Sequence, residues 1–367
     1  ERYHAVIFAT GAIRDAELEI PGIDLPGSFG AADFVSWYAG HPDVPRDWPL
    51  DAKEVAVVGN GNVALDVSRM LVKRPGDLYP TEVPDNVYQG LKSSQITDVH
   101  VFGRRSPHHV KFTPLELREL GELHDVDIVL HDDDFVSGLN EADGGAPSKQ
   151  LAVIQRIFAD WRDREVGAAS RRLHFHFFAQ PVAVLGSDAV TGIRYVRTEM
   201  ASSRGVVTTE EVREQAVQAV YRAVGYFGSP VPEIPFDFDN GVIKNDRGAV
   251  LDEKGVHLPG VFVTGWIKRG PVGLIGHTKS DAMETIEVLL GANAEHWSPQ
   301  RTEPHSIIDL LTSRGCDFTG LSGWQRLDLE EIRRGQQKGK EREKVVSRED
   351  MLAFSGSGEA NSPRHRD

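Results

Sequence analysis

A single cysteine, Cys316, stands in the whole chain. A lone thiol closes no internal disulfide, builds no thiolate iron–sulfur cage and makes no redox-active dithiol pair. Its scarcity fits a reducing compartment, so a cytoplasmic location is expected. Long hydrophobic runs are missing as well, and no transmembrane segment is expected. Basic charge is in the minority: 41 Lys and Arg stand against 55 Asp and Glu, a formal net charge of −14. That balance argues against nucleic-acid binding, which needs a basic surface, and leaves room only for local basic patches. No signal peptide is legible at Glu1-Arg2-Tyr3, and there is no initiating Met, so an upstream segment is expected. Neither a G-x-S-x-G nucleophile elbow nor an H-E-x-x-H pair occurs.

Against those absences stands one strong positive feature. Val55 to Asp66 reads VAVVGNGNVALD: an apolar run, Gly59, Gly61, Ala64, then a helical pattern. This is the strand, tight turn and helix N-terminus of the G-x-G-x-x-G/A dinucleotide fingerprint. Gly59 permits the turn, Gly61 lets the main chain approach a pyrophosphate, and Ala64 keeps helix and strand close. Asn60 and Asn62 lie in the loop itself, either as ligand contacts or as residues that tolerate turn dihedrals. Asp66, one turn into the helix, suits the helix dipole. A second apolar run, Asp98 to Phe102, ends in Gly103-Arg104-Arg105. An acidic residue there would take the ribose hydroxyl of NAD; arginines suit the 2′-phosphate of NADP.

Other elements follow from pattern. Tyr3 to Gly11 (YHAVIFATG) predicts a buried strand closing on glycine. Thr113-Pro114 starts a helix over Phe112 to Leu123, as N-cap and Pro at the first helical position. Asp132-Asp133-Asp134 reads as a solvated acidic loop. Leu173 to Tyr195 and Val206 to Thr209 predict antiparallel strands, and Gln218 to Tyr226 an apolar one. Gly241 to Leu251 predicts a hairpin turning near Asp246-Arg247-Gly248. His174 and His176 alternate on one strand face with no third ligand in view, so they read as a solvated face and no metal site is expected. Trp266 to Lys279 sets Gly270, Pro271, Gly273 and Gly276 before a helix, a second candidate for a helix N-terminus facing a phosphate. Chain length and a 40% hydrophobic content allow two domains.

Taken together, GNGNVALD, FGRR, FTPLELREL and GWIKRGPVGLIG occur in an order that resembles the adrenodoxin-reductase-type ferredoxin–NADP⁺ reductases, including their actinobacterial members. The resemblance runs from Tyr3 to about Phe354. It implies an α/β fold of two Rossmann-like dinucleotide-binding domains, with an NADP domain inserted into an FAD domain. The implied boundaries are 1–13 and 223–354 for the FAD domain, 14–222 for the NADP domain and 355–367 for a disordered tail. The family's leading G-x-G-P-A fingerprint is not in this sequence, so the FAD domain is expected to be N-terminally incomplete. The resemblance implies that Asn60, Gly61, Asn62, Val63, Arg104, Arg105 and Glu116 contact NADP(H). It implies that Trp266, Gly273, Leu274 and Ile275 contact FAD, and that Glu119 matches a catalytic-site acidic residue. The implied activity passes hydride from NADPH to flavin and single electrons to a ferredoxin-type iron–sulfur protein. An acidic partner of that kind would seek basic residues, and Lys268-Arg269 and Arg171-Arg172 are candidates. Two alternatives stay open: a glutamate-synthase-small-subunit-like electron-transfer module, and a non-catalytic NADP-binding module.

Overall fold

The computed structural model describes residues 3–136, 148–201, 205–271, 278–292 and 306–356. The chain divides into two compact units. The larger comprises Glu17–Val224 with Glu331–Arg348, the smaller Glu1–Ala16, Gly225–Glu330 and Glu349–Asp367.

The larger unit is built on a six-stranded sheet in the order Ser28–Gly30, Ala219–Arg222, Glu54–Val58, Asp98–Phe102, Arg171–His176, Val126–Leu130. Every pairing in it is parallel. Side chains alternate across a strand with period two. Val55, Val57, Val99, Val101, Leu173 and Phe175 therefore face one way, into a core shared with Phe34, Trp37, Val67, Leu71, Leu117 and Phe158 of the covering helices. Ala56, Val58 and Phe102 face the other way. Their layer is completed by an antiparallel sheet of Ala179–Leu185, Gly192–Met200 and Val206–Ala216, through Ala179, Val184, Ile193 and Tyr195.

Three expectations need correction here. Arg171–His176 is not antiparallel; it pairs in parallel with Asp98–Phe102, and the chain reverses only after Phe178, which has φ 50. A half-buried alternating pattern fixes which face is buried but not the direction of the partner strand. The helix read over Phe112 to Leu123 spans Pro114–Gly121, and Thr113 occupies the N-cap position without a side-chain capping bond. Asp134 is not solvated. It is buried, accepting hydrogen bonds from the Phe177 amide at 2.8 Å and the Arg197 guanidinium at 2.5 Å, while Asp132 and Asp133 are exposed. Glu331–Arg348 belongs to the larger unit. Lys340 Nζ reaches the Val83 carbonyl at 2.8 Å and Glu343 at 2.7 Å, and Arg348 pairs with Asp43 at 2.7 Å.

The smaller unit holds a four-stranded sheet ordered Val6–Phe8, His257–Val263, Ala249–Leu251, Asn245–Asp246. The first pair is parallel and the remainder antiparallel. The expected hairpin is present, turning at Arg247 (φ 50) and Gly248 (φ 103). Phe236, Ile243, Val250, Val263 and Ile267 form its core. The helix Thr278–Gly291 follows the strand's glycine-rich end. No described helix is long and apolar enough to cross a membrane.

Candidate functional site

The fingerprint strand Glu54–Val58 ends where Gly59 turns with φ +145, and Gly61 caps the helix Asn62–Val72 without any side-chain capping bond. The first N–H groups of that helix are thus free for an anion. A Cβ on Gly61 would meet nothing within 4 Å, so its main chain borders open space. Val63 is partly buried and packs against the larger core. The turn is held by its neighbours: the Lys111 amide donates to the Asn60 carbonyl at 3.1 Å, and the Thr113 amide to Asn62 Oδ1 at 3.0 Å. Asn62 therefore positions the next loop.

Three polar atoms in this cluster are buried and have no hydrogen-bond partner: Asn60 Oδ1, Thr113 Oγ1 and Glu116 Oε2. Burying such groups unpaired costs about 1–3 kcal/mol each. They are the polar edge that a ligand would satisfy. Glu116 sits in the first turn of Pro114–Gly121, where the helix dipole favours its charge.

The register Val58↔Phe102 sets the Gly103-Arg104-Arg105 turn beside the fingerprint turn. The Arg104 carbonyl accepts from Thr198 Oγ1 at 2.7 Å, and the Arg105 carbonyl from the Phe178 amide at 3.1 Å. Both backbones are pinned, while the Arg104 side chain is exposed and Arg105 is partly buried. Glu119 is joined to Arg69, which also holds Asp66 at 2.7 Å. Burial raises the Asp66 carboxyl pKa and Arg69 opposes that rise.

In the smaller unit, the parallel strands Val6–Phe8 and His257–Val263 end in Gly11 and Gly265. A cavity of about 480 Å³ opens there, lined by Ala9, Gly11, Thr264, Gly265, Trp266 and Thr278 among others. A Cβ at Gly11 or Gly265 would meet nothing within 4 Å, and Trp266 Nε1 is buried with no acceptor. This crevice at the carboxyl ends of parallel strands is where open α/β sheets bind ligands. Gly273, Leu274 and Ile275 lie outside the described residues.

Both candidate docking pairs are otherwise engaged. Lys268 is buried, with Nζ 2.7 Å from Glu284 and 3.1 Å from Asp281. Arg171 donates to the Leu71 and Lys73 carbonyls, and Arg172 grips Asp98 through two bonds of 2.6 and 2.8 Å.

No family model matches the chain. It is 38% identical over 363 residues to "NADPH-ferredoxin reductase FprA" of Mycobacterium tuberculosis, covering 96% of this chain and 78% of that protein. It is 37% identical over 373 residues to "NADPH:adrenodoxin oxidoreductase, mitochondrial" of Rattus norvegicus, covering 97% and 74%. The solved structure of Mycobacterium tuberculosis FprA in complex with NADPH superposes with a TM-score of 0.88 at 37% identity, over 97% of this chain and 79% of that one. The chain belongs to the adrenodoxin-reductase-type ferredoxin–NADP⁺ reductases.

As in that family, the fold is α/β with Rossmann-like dinucleotide-binding domains. This ferredoxin–NADP⁺ reductase also carries a constellation that the sequence did not disclose. His174 and His176 do not lie on a solvated face. His100 and His174 are direct cross-strand neighbours, their rings stacked at 4.4 Å, and His100 Nδ1 lies 3.0 Å from His176 Nε2. His131 stacks on His176 at 4.6 Å, and His174 Nε2 lies 2.9 Å from Asp98 Oδ1. Histidines from three strands or strand ends meet only once their register is known. Burial lowers the pKa of His174 and His176, and that of His100 to about 3. Burial pushes Asp98 upward, but hydrogen bonds from Arg172, His174 and Thr97 outweigh it and keep the carboxyl ionised.

This cluster should make the fold acid-labile. Between pH 6.5 and about 3 the unfolded chain binds a proton that native His100 refuses. Stability therefore rises with pH across that window and is lost as pH falls through it, by up to about 1.4 kcal/mol per pH unit for each such histidine. Guanidinium unfolding at pH 5 should show a lower midpoint than at pH 7.5. Equal midpoints would contradict the buried, neutral assignment.

Proposed function

We propose that this chain is an NADPH-dependent flavoprotein reductase whose electrons go to a ferredoxin-type iron–sulfur protein. The observation that carries this reading is the register Val58↔Phe102, which juxtaposes a bare-backbone glycine turn and an arginine pair. The larger unit is the NADP domain in this reading, and the smaller unit belongs to the FAD domain. The main chain at Asn60, Gly61, Asn62 and Val63 receives the NADPH pyrophosphate on a helix N-terminus. Arg104 and Arg105 hold the 2′-phosphate, and the unpaired Glu116 carboxylate accepts from a sugar hydroxyl. Glu119 is the acidic residue associated with the reacting centre, kept in place by Arg69.

The smaller unit's crevice fits FAD in two respects: Trp266 Nε1 is an unused buried donor, and Gly265 bares its main chain. Trp266 and Gly265 would hold FAD there, with Gly273, Leu274 and Ile275 assigned by the family resemblance alone. When bound, FAD supplies the conversion between a two-electron donor and a one-electron acceptor. A cytoplasmic location completes the reading and rests on the lone cysteine.

Cofactor discrimination tests the site. Arg104→Ala with Arg105→Ala should weaken NADPH binding by roughly 1–3 kcal/mol per lost charged contact and leave NADH binding nearly unchanged. Titration of both nucleotides against both proteins reads the difference. Equal weakening of the two would remove the phosphate role.

A further inference from the structure

At the amino-terminal end of the larger unit's sheet, Glu54 and Asp98 are register partners, and so are His100 and His174 two residues further along. Asp98, His100 and His174 each offer a donor atom, and these atoms all lie within 4.8 Å of one another. His100 Nε2 is buried with no hydrogen-bond partner, and Glu54 Oε2 lies 3.6 Å from it. We propose that Asp98, His100 and His174, with Glu54 as fourth donor, bind one divalent transition-metal ion of the zinc class.

The chemistry of the donor set selects that class. Two imidazoles and two carboxylates suit zinc, whose tetrahedral bonds of about 2.0–2.2 Å hold donor atoms roughly 3.3 Å apart. Asp98, His100 and His174 close to that value from within 4.8 Å by side-chain adjustment, and Glu54, whose Oε2 accepts from Gln215 Nε2 at 3.1 Å, exchanges that bond for one to the ion. Zinc needs neutral imidazole and ionised carboxylate. A proton on His100 Nδ1, donated to His176 Nε2, leaves the Nε2 lone pair for the metal. His174 ligates through Nε2 after shifting its proton to Nδ1, which exchanges its bond to Asp98 for one to the ion with no net proton change.

The surroundings are organised as an outer shell. His176 orients His100, while Arg172 and Thr97 hold Asp98 by bonds of 2.6–2.8 Å. Such partners commonly fix the orientation of metal ligands. The charges of Glu54, Asp98 and Arg172 sum to −1, so a dication is attracted despite the guanidinium. Glu54 is 39% exposed and gives the ion a path from solvent. The nucleotide turn follows the opposite, carboxyl end of the same strands, so the site pins strand register and takes no part in hydride chemistry.

The full chain, stripped with chelator and re-equilibrated with zinc sulfate, should retain one zinc per chain by elemental analysis and unfold at a higher temperature. Cobalt in its place should give ligand-field bands without a thiolate charge-transfer band. H174Q and E54Q should each weaken zinc binding at least about tenfold. E54Q serves as the second variant because its partly exposed side chain can change without opening the core. Failure of the wild-type chain to retain zinc would overturn the proposal. So would wild-type zinc affinity in both variants, which would assign the metal to other histidines.

Discussion

Gly59→Ala should unfold or cripple the larger unit, whereas Gly61→Ala should leave it intact and weaken NADPH binding. The two glycines stand two residues apart in one turn, yet their surroundings differ completely. A Cβ on Gly59 would lie 2.2 Å from the Ala223 carbonyl oxygen and 2.8 Å from its carbon. Ala223 cannot recede, because its amide donates to the Val58 carbonyl at 2.8 Å and so continues the ladder between two parallel strands. Gly59 itself donates to the Phe102 carbonyl at 3.0 Å and has φ +145, a conformation L residues rarely adopt. Backbone strain and forced displacement together cost about 2–6 kcal/mol. Gly61 has φ −124 and open space around its Cβ position, so its alanine variant should stay within about 0.5 kcal/mol of wild-type stability. Its methyl would stand where a pyrophosphate must approach, and NADPH affinity should fall at least about tenfold, or 1.4 kcal/mol. Denaturant melts and NADPH titrations of both variants decide the matter. A stable Gly59→Ala protein, or a Gly61→Ala protein with unchanged affinity, would refute the respective half.

The contrast between these glycines also marks how far sequence reasoning reaches. The strand–turn–helix at Glu54 to Val72 was legible because three local signals coincide: an apolar run, spaced glycines and helical periodicity. The arginines at 104 and 105 are legible as a strand ending, and the parallel register sets that ending beside the glycine turn. What stayed hidden is non-local. Nothing near His174 in sequence announces Asp98, His100 or His131, because parallel strands join residues separated by whole crossovers. The parallel direction of Arg171–His176 is hidden from local sequence for the same reason. Lys268 failed as a docking residue because a basic pair in a glycine-rich stretch looks like surface until the acidic residues of the following helix are seen to enclose it.

Lys268→Met should destabilise the smaller unit by about 3–5 kcal/mol, the usual cost of breaking a buried ion pair from one side. The Lys268 side chain is 6% exposed and that of Asp281 is 7% exposed. Nζ donates to Glu284 at 2.7 Å and to Thr285 Oγ1 at 3.2 Å. Asp281 in turn accepts from the Gly265 amide at 2.6 Å and the Thr264 hydroxyl at 3.2 Å. The lysine therefore neutralises the carboxylate that shapes the turn beside Trp266. Burial pushes the Asp281 pKa up, but the Gly265 amide and Lys268 outweigh it and hold it below the usual carboxylate range. A depressed carboxyl stabilises above its unfolded pKa and loses that contribution as pH falls through the native value. Without Lys268 the burial cost is opposed by charge only through Arg269, whose Nε lies 3.8 Å from Asp281 Oδ1, so Asp281 should titrate upward and the variant's deficit should narrow on acidification below about pH 4. Asp281→Asn, which keeps a carbonyl for the Gly265 amide, should relieve much of the loss in the Lys268→Met background. The coupling expected for such neighbours is about 0.5–3 kcal/mol. Hydrogen exchange along His257–Val263 reports on this unit separately from the larger one. Unchanged protection there in Lys268→Met, or strict additivity with Asp281→Asn, would show that the buried pair does not hold the turn.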